Sequence, residues 1–491
     1  MIKAYLGSGL LAIPYAFRCG GFLSGTIGLL LLALISNTTL KMLIWMRRRF
    51  SAAEGEVTFS LIGEYSTGVW GRRLALFAEI ATNVGIAVGY LIFIGNTALI
   101  VLGAKASDDD DDNVTLHNKW LDSGSGSLHL NLIIVACAIP LILFAQLRSM
   151  KKMGFVSILG NVAIISAIIV VMYTSISTVS WDDFPSFPNR HIDWTIRLAK
   201  MPYFFGIAMF SFTIHGIVLP IEASMQHPEH AYKMFDRCIF FVVLSYVVFG
   251  GTSLSLSLSL SPNIQHQYTG LGYLAFTNGT DQSILDNLPR DKTWKKAIAS
   301  AVQIMLCVAM LLTVPLFNYA VIKTIEDLWF SPEVIERWNQ EIDRLKHEIK
   351  DEENEERPQL LRSQRDDIQS TETFLRHLRF KRQLLRVGLV FGLVGVAILL
   401  GPLFSQVIGF VGAFSMSAMA FILPSWFYLN TASKTSLWRS TQPSDSYDPS
   451  TWNLVVARII LVFGVLAMIG ATITSLFGIV GYFRGESADT C

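Results

Sequence analysis

Gly7-Ser8-Gly9-Leu10-Leu11-Ala12-Ile13-Pro14 and Phe210-Ser211-Phe212-Thr213-Ile214-His215-Gly216-Ile217-Val218-Leu219-Pro220-Ile221-Glu222 decide the fold. Each lies inside a membrane-length apolar run, and each carries Gly and Pro where a helix should continue. Gly and Pro weaken a helix, and lipid offers no water to the backbone groups they free. A break at membrane depth therefore persists only where protein buries it or a polar cavity receives it. Two such breaks five spans apart point to the binding site of a secondary transporter.

The rest of the chain supplies the membrane frame. Hydrophobic residues make up 52%, and the mean hydropathy is +0.46. This excludes an ordinary soluble domain and predicts an all-α integral membrane protein in contact with the lipid bilayer. The net charge of +1 argues against a nucleic-acid partner. Charge-poor runs fall at 2–19, 22–46, 75–103, 130–147, 155–178, 201–221, 235–258, 297–322, 385–403, 406–429 and 454–482. At about 20 residues per crossing they predict about 11 transmembrane helices. Gly401-Pro402 separates the ninth from the tenth.

Basic residues cluster in alternate loops, at Arg47 to Arg49, Arg72 and Arg73, Lys151 and Lys152, and through 333–382. The positive-inside rule places these loops and the N-terminus in the cytoplasm. The sequons at Asn113 and Asn278 fall on the opposite side, as glycosylation requires. Three segments stand apart from the membrane domain that occupies 1–491. They are an extracytoplasmic acidic loop at 104–129, a low-complexity insertion at 253–268, and a charged cytoplasmic loop at 333–382 between the eighth and ninth spans. The last reads as a helix or helix pair broken at Pro358, either solvated or docking a cytoplasmic partner.

Chemistry concentrates at the breaks. The half-helix after Gly9 presents free N–H groups and a positive dipole end, which suits a carboxylate. Gly7-Ser8-Gly9 equally suits close helix packing. Ser211, Thr213 and His215 place polar groups within about one turn at mid-membrane, and an intramembrane ionisable residue is a functional candidate by default. Glu222, two turns on, reads as a gate, a proton carrier or an interfacial carboxylate. Pro315 frees the carbonyl of residue 311, which with the Thr313 hydroxyl could ligate a small cation; Thr313 could instead bond its own backbone. Neither a nucleotide-binding loop nor a hydrolase or metalloprotease motif occurs, so no enzyme is predicted. The five cysteines include no CxxC pair and read as thiols, with no metal site.

Lys3 to Phe17 resembles the first-helix signature of the amino acid/auxin permease family, within the amino acid–polyamine–organocation superfamily. Leu219-Pro220-Ile221-Glu222 with Met225 and Pro228 is similar to its proton-coupled and vacuolar branch. Gly270 to Phe276, Leu288-Pro289, Val411 to Ser415 and Leu423-Pro424 extend the similarity over most of the chain. The resemblance implies a LeuT-like five-plus-five inverted repeat with discontinuous helices 1 and 6 and an eleventh helix appended. It implies that Gly7, Ser8 and Gly9 face a substrate carboxylate, with Ser211, Phe212 and Thr213 around the amine and side chain. It also implies a cytoplasmic tail upstream of Met1. Thr213 stands where the proton-coupled branch usually has a glutamate. His215 is more like vesicular and vacuolar relatives, and Thr313-Val314-Pro315 more like the sodium-coupled branch. The expectation is a secondary active transporter of small neutral L-amino acids, without cofactor, coupled to H+ or Na+, in a lysosomal, vacuolar or plasma membrane. His215, Glu222 and Thr313 are the ion-coupling candidates. The alternative is an amino acid sensor that signals through 333–382 with little flux.

Overall fold

The computed structural model describes residues 5, 8–54, 57–101, 124–146, 200–212, 214–223, 225–251, 293–330, 358–401, 403–434 and 447–484, with scattered positions at 160–169, 340 and 344. Gly7, Thr213, both sequons, the low-complexity insertion and most of the run 155–178 lie outside them. Among the described residues every regular element is helical. The helices are α1 (Ser8–Gly20), α2 (Phe22–Glu54), α3 (Phe59–Thr67), α4 (Val69–Val101), α5 (Gly124–Ala145), α6 (Met201–Ser211) and α7 (His215–Ala223). They continue with α8 (Ala231–Gly251), α9 (Thr293–Leu311), α10 (Val314–Phe330), α11 (Pro358–Leu399), α12 (Phe404–Val411), α13 (Leu423–Lys434) and α14 (Thr451–Phe483). Apart from 155–178, each predicted apolar run coincides with a described helix or helix pair.

Apolar composition explains which helices cross. Leu23–Phe50, Val69–Leu99, Arg376–Leu399, Phe404–Ser433 and Thr451–Gly481 are long and apolar enough to span a bilayer. Large side chains such as Phe240, Trp452 and Phe477 are exposed on the outer helices, as a lipid-facing surface requires. α6 packs against α1, α12 and α14, so the pieces flanking the second break lie at the centre. Gly21 joins α1 to α2 at φ 81°, a left-handed turn that glycine adopts without strain.

Discontinuity recurs where the sequence predicts it. α6 and α7 are separated at 212–214, α9 and α10 at 312–313, and α11 and α12 around Gly401. Pro358 opens α11, a 42-residue helix that runs from the charged loop into the ninth apolar run; the loop before it lies largely outside the described residues. Proline suits this first position because the N–H it lacks would have had no intrahelical partner there. The tenth run is also not uniform: π-helical turns at Gly412–Met416 and Ala418–Ile422 link α12 to α13. Cys19 is disulfide-bonded, which corrects the expectation of thiols throughout, whereas Cys137, Cys238 and Cys307 are free.

On the face that carries the basic residues, Glu326 of α10 accepts hydrogen bonds from Arg382 and Arg386 of α11. Arg386 also donates to the Ala145 carbonyl at 3.2 Å, capping the C-terminal end of α5. Burial alone would raise the Glu326 carboxyl; the hydrogen bonds and charges of Arg386 and Arg382 outweigh it and hold it below the usual range.

Candidate functional site: two helix breaks in contact

The two breaks touch. A Cβ on Gly9 would lie 2.9 Å from the Ser211 Cα, so only glycine lets the start of α1 approach the end of α6 this closely. Tyr5, just before α1, sets its ring edge-on to Phe212 at 6.4 Å. Phe212 packs on its other flank against Tyr246 of α8 at 5.4 Å. The three rings are buried.

The freed carbonyls of the second break find side-chain donors on neighbouring helices. The Tyr246 hydroxyl lies 2.9 Å from the Ser211 carbonyl oxygen. Ser36 of α2 donates to the Phe212 carbonyl at 3.3 Å. This is the compensation that a break in lipid demands. His215 opens α7 with no exposed surface, its Nε2 2.9 Å from Thr39 Oγ1. The Thr39 hydroxyl is also within reach of the Ile35 and Ser36 carbonyls. The imidazole tautomer sets which of Thr39 Oγ1 and His215 Nε2 donates.

Among the described residues, Tyr5 Oη, Ser211 Oγ and His215 Nδ1 are buried at the breaks without a hydrogen-bond partner of good geometry, although the Ser36 side chain lies beside Tyr5 and that of Tyr246 beside Ser211. An unsatisfied buried polar group costs about 1–3 kcal/mol, and a native fold tolerates such a cluster where a bound molecule pairs it. All three belong to residues at the two breaks.

The sequence-derived candidates fall into three groups. Gly9, Ser211, Phe212 and His215 are brought together at the contact. Ser8 is the first residue of α1, where unpaired N–H groups lie, whereas Gly7 and Thr213 are outside the described residues. Glu222 and Thr313 stand apart. Both Glu222 oxygens are taken, by Arg47 Nη1 at 2.5 Å and Arg48 Nε at 2.9 Å, so the carboxylate ties the end of α7 to α2. The Thr313 hydroxyl, in the gap between α9 and α10, donates to the Ala309 carbonyl of α9 at 2.6 Å.

Sequence reading passed over Tyr5, Ser36, Thr39, Tyr246 and the π-helical segment. Ser36-Asn37-Thr38-Thr39 was the available signal, a polar run inside the second apolar span. The π segment reaches α6 through the Ser417 hydroxyl, 2.8 Å from Met209 Sδ. Its wide turns let Ser417 also bond the Gly412 carbonyl five residues back, at 3.2 Å.

With helices apolar and long enough to cross a membrane, and the start of α1 set against the helix break after α6, the molecule has the construction of a membrane transporter. The chain belongs to the transmembrane amino acid transporter protein family, whose pattern matches residues 1–477; these are transporters, not enzymes. It is 23% identical over 483 residues to vacuolar amino acid transporter 4 of Saccharomyces cerevisiae, covering 98% of this chain and 57% of that one. It is 26% identical over 329 residues to amino acid transporter ANT1 of Arabidopsis thaliana, covering 66% of this chain and 65% of that one. The proton-coupled amino acid transporter-like protein pathetic of Drosophila melanogaster is 24% identical over 332 residues, covering 67% of this chain and 62% of the other. The chain thus spans less than two thirds of the length of each of these relatives. Among solved structures, MhsT in complex with L-phenylalanine superposes with a TM-score of 0.48 at 13% identity, covering 96% of this chain and 97% of that one.

Proposed function

We propose that this protein moves small neutral L-amino acids across a membrane by alternating access, with the substrate held between the two helix breaks. The observation that carries this reading is the close contact of Gly9 with Ser211, with the buried polar groups Tyr5 Oη, Ser211 Oγ and His215 Nδ1, weakly paired among the described residues, gathered at the breaks. The N–H groups at the start of α1 suit the carboxylate. The Ser211 hydroxyl and the carbonyls at the end of α6 suit the ammonium group. A zwitterion satisfies both ends without a compensating charge from the protein, and the atoms left unpaired here are uncharged. The names of the yeast and fly relatives support a vacuolar membrane and proton coupling. His215 is the proton-handling group in this reading, because its imidazole is fully buried at the break and its Nδ1 has no partner among the described residues. A loop partner at 333–382 and glycosylation at Asn113 and Asn278 accompany the proposal without entering the transport step.

Uptake of labelled amino acids into proteoliposomes, with pH and sodium gradients imposed separately, tests it. Saturable uptake driven by a pH gradient is expected, and His215→Ala should lose that dependence. Amino acid binding without flux would replace the transporter by the sensor; uptake by His215→Ala with its proton dependence intact would remove His215 from the coupling step.

A further inference from the structure

One hydroxyl joins the two breaks. Tyr246 Oη lies 2.6 Å from the Tyr5 carbonyl oxygen and 2.9 Å from the Ser211 carbonyl oxygen, both ordinary O–H···O distances. Ser211 ends α6, so its carbonyl is one of the last-turn acceptors that the helix itself leaves unpaired. Tyr5 lies on the other chain segment, just before α1. The phenol has a single proton, which the two acceptors share or alternate. Its ring cannot swing away freely, because Phe212 holds it edge-on at 84° and Tyr246 has no exposed surface.

Two carbonyls converging from separate broken segments make a pocket of negative potential in a low-dielectric interior. In secondary transporters, unwound backbone carbonyls and half-helix C-terminal ends coordinate the coupling Na+ or H+. Here a tethered proton donor from α8 occupies that place. We propose that the Tyr246 hydroxyl stands in for a coupling cation between the two breaks, and so sets which ion this part of the site can accept. The proposal rests on the reading of the breaks as the substrate site. The bound phenol gives the breaks a permanent donor in place of an ion that arrives and leaves. It also makes Tyr246 a positioning residue: the breaks can separate only when its proton lets go of one carbonyl.

Two variants test this in the full chain, purified and reconstituted. Tyr246→Phe keeps the ring and removes the proton, leaving both carbonyls buried and unpaired. Tyr246→Ser removes the ring and opens an oxygen-lined space between the same carbonyls. Melting is recorded without amino acid in sodium, lithium and choline chloride, and uptake is recorded separately. Tyr246→Phe should melt several degrees below the wild type in every salt, with uptake reduced about tenfold or more, the equivalent of one lost hydrogen bond. Tyr246→Ser should gain a stabilisation by sodium or lithium over choline that exceeds any shown by the wild type. A folded Tyr246→Ser protein with no such gain overturns the proposal. So does a Tyr246→Phe protein that melts and transports like the wild type, which decides the matter should the serine variant fail to fold. The expected melting pattern with no uptake by any form would refute the transport reading alone and leave the assignment of Tyr246 standing.

Discussion

Replacing Glu222 by glutamine should cost this protein about 3 kcal/mol. The carboxylate is 1% exposed and receives Arg47 Nη1 at 2.5 Å and Arg48 Nε at 2.9 Å; the two arginine side chains are 15% and 29% exposed. Hydrogen bonds to charged groups contribute about 1.5–3 kcal/mol each. Removing one member of a buried pair costs about 3–5 kcal/mol, because the other charge is left uncompensated. The lower part of that range applies, since Arg48 reaches solvent and screening discounts its share. Arg48 also donates to the Pro228 carbonyl at 2.6 Å and lies over the Tyr232 ring at 4.7 Å, so its removal would disturb more than the pair. Arg47 is the cleaner partner. A double-mutant cycle of Glu222→Gln with Arg47→Gln, read by unfolding in mixed micelles through tryptophan fluorescence, should give a coupling of about 2–3 kcal/mol. A coupling below about 0.5 kcal/mol would refute the reasoning, because an exposed surface pair does as much. The charge reversal Glu222→Arg with Arg47→Glu should recover part of the loss.

Two further outcomes follow from the packing and from the basic-side ion pairs. Gly9→Ala drives a Cβ to 2.9 Å from the Ser211 backbone, an overpacking of about 1–3 kcal/mol at the contact of the breaks, and uptake should fall about tenfold or more; Gly392→Ala, which meets nothing within 4 Å, is the matched control and should transport normally. Glu326 is held below the usual carboxylate range by Arg386 and Arg382 against the opposing effect of burial. Its stabilisation is therefore complete above the unfolded value of about 4.3 and disappears as pH falls through the lower folded value. Melting of the wild type should drop across that acid window, and Glu326→Gln should start lower and flatten the curve.

The helix breaks were legible because they are local: Gly, Ser and Pro within a few residues weaken one helix whatever surrounds it. The gap at 312–313 was foreshadowed by Pro315 in the same way. The partners of the freed backbone were not legible. Tyr246 reaches a carbonyl 241 positions away, and Thr39 meets His215 across 176; no spacing rule in one sequence encodes such pairs. The π-helical turns between α12 and α13 were equally silent, since Gly412 to Ile422 reads as an ordinary apolar stretch.

Helical periodicity could still have narrowed the search. In Ser36-Asn37-Thr38-Thr39, positions three apart share a face. Ser36 and Thr39 are the two that turn inward, to the Phe212 carbonyl and His215, while Thr38 bonds the Leu34 carbonyl of its own helix and Asn37 meets Asp236. The same contrast separates two hydroxyls near breaks. The Thr313 proton is used locally, from the gap onto the Ala309 carbonyl four residues back. The Tyr246 proton is offered to two distant segments, which the proposed transport cycle would move relative to each other. In the proposed cycle a hydroxyl bonded four residues back moves with its own stretch of chain, whereas one that bridges two breaks must be released. On that proposal the conformational control of the site falls to Tyr246 of α8, a residue whose apolar surroundings disguise it as core.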